Sequence, residues 1–251
     1  MIGVILAAGM ARRLRPLTDT RPKCLLSVGG KTLLQRTVDA MRMAGISEFV
    51  VVTGYRAEMI REHLAEIYGG ASGSEADAAS TVVFHYLHNA DYANNNNIYS
   101  LWMAGQVVGG REFLLMDSDI LCDPAVVSRI ANERESALAV NRHELGDEEM
   151  KVVVDGTGRI TEISKTCRPE DAMGESVGIE RIDAAYSKAL FAELDRMIVG
   201  EGLVDIFYER AFERLIPQGH TFTVVDTTDY FSYELDTPED YHNAVKLFEN
   251  F

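Results

Sequence analysis

Cysteine, tryptophan and positive charge are what this chain of 251 residues has least of. Its three cysteines, Cys24, Cys122 and Cys167, are odd in number, scattered and without metal-ligand spacing. Neither a disulfide framework nor a zinc site follows, and a reducing, cytoplasmic setting is expected. The six histidines also show no metal-like spacing and read as surface or satisfied core residues. Lys and Arg number 24 against 39 Asp and Glu, a formal charge of −15, which argues against a general affinity for nucleic acid. Long apolar runs are lacking as well. The first one begins directly after Met1, has no basic stretch before it and is too short to span a bilayer, so no membrane or secretory segment is expected.

What is present is a 47% hydrophobic content, enough for one ordinary α/β domain to bury a full core. Strand-like runs at Ile2 to Leu6, Phe49 to Thr53, Thr81 to Leu87, Phe113 to Met116 and Ala137 to Val140 alternate with helix-like segments. Leu33, Leu34, Val38 and Met41 place an apolar stripe at helical spacing, with Gly45 as its stop. The alternation predicts β-α-β units, hence a mixed, mostly parallel sheet flanked by helices. Met150 to Val154 and Arg159 to Ile163, around Asp155-Gly-Thr-Gly158, read as an added hairpin. Helices are expected near Ala184 to Met197 and Val204 to Leu215, and a last one opens at Thr237-Pro238. Gly69 to Ser80 reads as a surface loop.

The basic residues are concentrated. Arg12, Arg13, Arg15, Arg21 and Lys23 lie within twelve positions, a local anion trap in an acidic chain. They follow the small-residue turn Leu6-Ala7-Ala8-Gly9, where backbone N–H groups can approach phosphate oxygens with no side chain between. Arg13 and Lys23 would offset the charge of a triphosphate. The Gly-x-Gly-x-x-Gly fingerprint of dinucleotide sites fails here, and no Gly-Lys-Ser/Thr is present for a Walker A loop. On these residues alone, a tight turn beside a basic surface patch explains the segment equally well.

A second motif, Met116-Asp117-Ser118-Asp119-Ile120, ends an apolar strand at the edge where open α/β sheets bind ligands. Asp117 and Asp119 offer hard oxygens suited to Mg²⁺. A solvated loop with a capping aspartate is the plainer reading of a lone Asp-x-Asp. A third stretch, from Asn89 to Leu101, is rich in asparagine and leads into a helix expected near Ser100. Amides both donate and accept, so Asn96, Asn97 and Ser100 could read a base edge or a ribose, although asparagine also simply forms loops and caps.

Leu6-Ala-Ala-Gly9, Arg13-Leu14, Pro16-Leu-Thr18 and Pro22-Lys23 together resemble the N-terminal signature of the sugar-phosphate nucleotidyltransferase superfamily. The Asn89 to Leu101 stretch is similar to that of its bacterial phosphocholine and phosphonate-type cytidylyltransferase branch. The resemblance implies a single Rossmann-like (GT-A-like) domain, with an NTP-binding half over about 1–120 and an acceptor-binding half over about 121–251. It implies that Arg13 and Lys23 hold the NTP phosphates, that Asp236 completes an Mg²⁺ site with Asp119, and that Asp117 supports them indirectly. It implies CTP as nucleotide and a small phosphorylated or phosphonate acceptor, with Lys151, Lys165 and Glu175 on the acceptor side. Two departures stand out. Ala11 occupies a position usually held by glycine, which would cost about 1 kcal/mol if a positive φ is needed there. No tryptophan lies near Met150, as it does in choline-type relatives, which leaves the acceptor open. A sugar-1-phosphate nucleotidyltransferase using UTP, dTTP or GTP, and an inactive nucleotide-binding regulator, are the competing readings.

Overall fold

The central strands form where β-branched and aliphatic residues run without interruption, because a strand covered on both faces needs no polar alternation. β1 (Ile2–Ala7) is buried at every position and marks the middle of the sheet. The computed structural model describes residues 1–69 and 81–249; the predicted loop from Gly69 to Ser80 lies almost wholly outside them.

The remaining strands are β2 (Ser27–Val28), β3 (Lys31–Thr32), β4 (Glu48–Thr53), β5 (Val83–His88), β6 (Phe113–Asp117), β7 (Ile120–Cys122), β8 (Ala137–Asn141), β9 (Lys151–Val154), β10 (Ile160–Ser164), β11 (Gly174–Ile182), β12 (Thr223–Asp226) and β13 (Ser232–Glu234). The helices are α1 (Leu33–Met43), α2 (Ala57–Tyr68), α3 (Asn97–Val108), α4 (Pro124–Ala131), α5 (Ala184–Asp195), α6 (Glu209–Leu215) and α7 (Pro238–Glu249).

Nine strands of the described residues share one sheet, in the order β10-β9-β11-β6-β1-β4-β5, with β8 against β11 and β12 against β8. β1, β4, β5 and β6 run parallel, whereas β11 is antiparallel to β6, β8 and β9. The expected hairpin exists as β9 and β10. Apolar side chains from α3, α5 and α6 cover one face, and those of α1, α2 and α4 cover the other.

Two helix starts differ from the sequence expectation. α3 opens at Asn97 rather than Ser100, because the Asn96 side chain caps it by accepting the Asn97 N–H at 2.8 Å. α6 opens at Glu209 rather than Val204. The Val204 carbonyl accepts the Asn96 N–H at 2.9 Å and the Tyr208 N–H goes to Asn97 Oδ1 at 3.0 Å, so these groups serve the asparagine-rich loop instead of a helix. Thr237 does cap α7, accepting the Asp240 N–H at 3.2 Å.

Ala11 adopts φ 45° and ψ 56°, the left-handed conformation, so the condition raised for that position is met. It is held there by the Leu14 N–H and the Thr18 hydroxyl, both donating to its carbonyl at 3.0 Å. Ala11→Gly removes the Cβ strain and is expected to stabilise the fold by about 0.5–1 kcal/mol, read as a higher urea midpoint at unchanged slope.

Candidate active site

β1 and β6 end side by side, with Leu6 opposite Asp117, and the loops that leave them wall a cavity of about 400 Å³. A volume of this size suits a nucleotide-sized ligand. Ala7, Ala8 and Gly9 form one wall; a Cβ on Gly9 would meet no protein atom within 4 Å, so the glycine keeps space open there. Gly54 does the opposite. A Cβ there would lie 2.6 Å from the Ala8 carbonyl oxygen, so the backbone after β4 closes on the turn only because the side chain is missing.

Lys23 is the electrostatic centre. Its Nζ lies 2.7 Å from Asp119 Oδ2 and 2.9 Å from Asp236 Oδ1, with the side chain only 11% exposed. Burial works against the ammonium, yet the charges of Asp119 and Asp236 outweigh it and raise its pKa above the ordinary lysine value. Arg13 reaches Asp236 Oδ2 at 2.6 Å from the rim.

The convergence of Asp119 with Asp236, 117 positions later, has a local cause. β7 and β13 pair antiparallel, setting Glu234 opposite Ile120, and the Leu235 N–H points at the Asp119 carbonyl at 3.4 Å. Leu235 is buried in a small core under α7, so its neighbours Glu234 and Asp236 both turn the other way. Asp119, Glu234 and Asp236 thus bring one carboxylate oxygen each within 4.8 Å of one another. Asp119 Oδ1 is buried without a hydrogen-bond partner. Three hard oxygen donors, one of them unsatisfied, fit a divalent cation of the Mg²⁺ kind. Enclosure by the protein, with repulsion from Asp119 and Asp236, pushes the Glu234 carboxyl up to about 7 although the residue lies at the exposed mouth.

Asp117, expected to support the metal carboxylates indirectly, stands outside the trio, and Glu234, which the sequence reading did not name, is its third member. Asp117 still lines the cavity, but its Oδ2 turns to the Tyr208 hydroxyl at 3.3 Å. Burial, together with repulsion from Asp119, Glu209 and Glu234, drives its pKa well above the usual carboxylate range. The pattern that could have revealed Glu234 is its alternation with Asp236 around an apolar residue in a short strand.

Asn96, Asn97 and Ser100 line the cavity as expected. Their organiser is Asn89, only 1% exposed, which sequence reasoning left aside. Asn89 Nδ2 donates to Asn95 Oδ1 at 2.8 Å and to Ser100 Oγ at 3.2 Å, tying the loop to α3.

At the other end stand Lys165 and Glu175, both in the cavity wall. Lys165 Nζ sits 4.7 Å over the Phe207 ring, and Glu175 Oε2 pairs with His143 Nε2 at 2.7 Å. His143 is exposed, as expected, and its ring reaches the cavity only through Glu175. Lys151, expected on the acceptor side, does not line the cavity. It is 1% exposed, belongs to a strand with neighbours on both sides, and its Nζ donates to the Lys165 and Glu149 carbonyls at 2.8 and 3.3 Å. Its ammonium is not free for a ligand; it anchors the backbone of Lys165.

A doubly covered α/β sheet thus carries, beside a small-residue turn, a carboxylate trio of which a lysine bridges two members, an arrangement suited to phosphoryl-group transfer. Residues 2–150 match the nucleotidyl transferase family, and the chain belongs to it. It is 30% identical over 251 residues to a CMP-5'-(3-aminopropyl)phosphonate synthase of Streptomyces rubellomurinus, covering 96% of this chain but only 38% of that relative. It is 23% identical to a choline-phosphate cytidylyltransferase of Streptococcus pneumoniae, over 100% of this chain and 99% of the relative. A 2-aminoethylphosphonate cytidylyltransferase of Lancefieldella rimae is 31% identical over 47% of this chain and 42% of its own. Among solved structures, that of a CTP:phosphocholine cytidylyltransferase from Streptococcus pneumoniae shares the fold with a TM-score of 0.79 at 23% identity, covering 98% of each chain. Among the described residues no helix is long and apolar enough to cross a membrane.

Proposed function

We propose that this protein is a Mg²⁺-dependent cytidylyltransferase that moves CMP from CTP to a small phosphorylated or phosphonate acceptor and releases pyrophosphate. The observation that carries the reading is the bridge from Lys23 to Asp119 and Asp236 at the floor of the cavity, with Arg13 at its rim. The relatives named above support CTP and a non-sugar acceptor.

In this reading residues 1–120 supply most of the nucleotide side and 121–251 the acceptor side, with the carboxylate trio drawn from both. Ala7 to Gly9 receive the triphosphate, and Asn96, Asn97 and Ser100 the nucleoside. Lys165 and Glu175 face the acceptor. The acceptor oxygen is already anionic near neutral pH, so no general base is required. It forms a bond to the α-phosphorus as the bond to the pyrophosphate oxygen breaks in line behind it. Lys23 and Arg13 hold positive charge where the α-phosphate and leaving group gain negative charge. A divalent cation held by Asp119, Asp236 and Glu234 would supply further charge neutralisation. The three free cysteines accord with a cytoplasmic setting.

The test is pyrophosphate release with Mg²⁺, pairing CTP, UTP, dTTP, GTP and ATP with phosphocholine, aminoalkylphosphonates, inositol phosphate and sugar 1-phosphates. Turnover is expected with CTP and a non-sugar acceptor. Turnover confined to sugar 1-phosphates would transfer the protein to the sugar-nucleotide branch, and silence with every pair would overturn the reading.

A further inference from the structure

The loop that brings Arg12 and Arg13 to the cavity has little packing of its own, for between Gly9 and Arg21 only Leu14 and Thr18 are buried. Its shape depends on hydrogen bonds, and several of these form one chain. Arg56 Nε donates to the Tyr55 hydroxyl oxygen at 2.9 Å, which lies 3.0 Å from the Thr18 carbonyl and 2.9 Å from the Asp19 carbonyl. Arg56 Nη2 already donates to the Asp19 carbonyl at 2.9 Å, which leaves the single Tyr55 hydroxyl proton for Thr18. The Thr18 hydroxyl in turn donates to the Ala11 carbonyl. Tyr55 also holds the start of the loop, because its N–H donates to the Ala8 carbonyl at 3.0 Å.

Both ends of this chain are strained. Ala11 with φ 45° and Arg56 with φ 50° are, among the described residues, the two non-glycine residues of positive φ. Such a conformation persists only where its surroundings over-determine it, and it collects at functional sites. Here the two are tied to each other through Tyr55 and Thr18. Neither Tyr55 nor Arg56 lines the cavity, so each can reach a ligand only through the loop. Resting on the transferase reading above, we propose that Tyr55, held by Arg56, is a positioning residue that keeps the phosphate-binding loop in the shape that receives the nucleotide triphosphate. Its ring meets that of Tyr92 edge-on with centroids 6.3 Å apart, and Tyr92 does line the cavity, so the clasp reaches from the phosphate turn to the asparagine-rich loop. The consequence falls on nucleotide affinity. A loop that holds its receiving shape for only a fraction of the time weakens binding by that fraction, whereas a bound triphosphate itself keeps the loop in place.

The experiment uses two variants. Tyr55→Phe removes only the hydroxyl; Arg56→Gly removes the guanidinium while relieving the positive φ at the N-cap of α2, where glycine is tolerated. With the best acceptor of the panel above, both should raise KM for CTP about tenfold and leave kcat and the acceptor KM within about twofold of wild type. Trypsin reads the loop without any substrate. Cleavage after Arg12 and Arg13 should quicken about tenfold in the nucleotide-free variants, and saturating CTP with Mg²⁺ should bring all three proteins to the same slow rate. A merely structural role would lower the urea midpoints while leaving KM for CTP in the folded protein unchanged, and would overturn the proposal. So would a kcat loss at constant KM, or wild-type cleavage rates in both variants. Wild-type protein that turns CTP over with no acceptor would remove the transferase reading itself, and the proposal with it, a result seen in the unmutated chain alone.

Discussion

Lys23→Met is expected to lower turnover by about a thousandfold, the scale on which a charge aimed at a transition state contributes in a shielded site. The ammonium sits within 2.9 Å of both Asp119 and Asp236, and those two charges keep it protonated despite its burial. Because its pKa lies above the ordinary lysine value, the loss should be equally deep at pH 6 and pH 8. The variant also leaves two carboxylates facing each other without their shared partner. A stability loss of about 1–3 kcal/mol should accompany the kinetic one, so rates belong well below the melting transition. Arg13 contacts the same Asp236 but is 64% exposed, where solvent screens it. Arg13→Ala should therefore cost distinctly less than Lys23→Met. Pyrophosphate release from the two variants at matched fractions folded decides the matter: equal losses, or an active Lys23→Met, would mean that the bridge is structural only.

How far such a site can be read from residue order depends on how local its causes are. β1, β4, β6 and β8 were legible because unbroken apolar runs have few other uses, and Ala11 was singled out, as a place where a positive φ would carry a cost, by its position in a loop signature. Asp119 and Asp236 were legible through family resemblance. Glu234 was not, because its nearness to them depends on the two-strand ribbon of β7 and β13, which only three-dimensional pairing shows. The pairing of His143 with Glu175 was unreadable for a similar reason, the two being 32 positions apart. The error at Lys151 was one of burial. In sequence it resembles any lysine beside a strand, and only its place between β10 and β11 shows that its ammonium is occupied by carbonyls.

Glu180 yields the second large effect, on stability rather than rate. It lies on β11 with no exposed surface, and neither carboxyl oxygen meets a partner in hydrogen-bonding geometry, although the Tyr208 and Ser176 hydroxyls are close enough to temper the shift. Burial first, then repulsion from Asp117 and Glu209, raises its pKa well above that of an ordinary glutamate. The sign follows from proton counting. Below the ordinary value of 4.5, folded and unfolded chains both hold the proton. As pH rises beyond it, the unfolded chain releases the proton while the folded chain retains it until the raised value is passed. The Glu180 contribution to stability is thus greatest in acid and falls by about 1.4 kcal/mol per pH unit over that window. Glu180→Gln removes the titration while keeping the shape. The variant should match wild type near pH 4.5 and exceed it by a margin that grows as pH rises from there, as read from urea unfolding between about pH 4.5 and 7.5. Parallel stability curves would show instead that Glu180 is solvated or paired in the folded state.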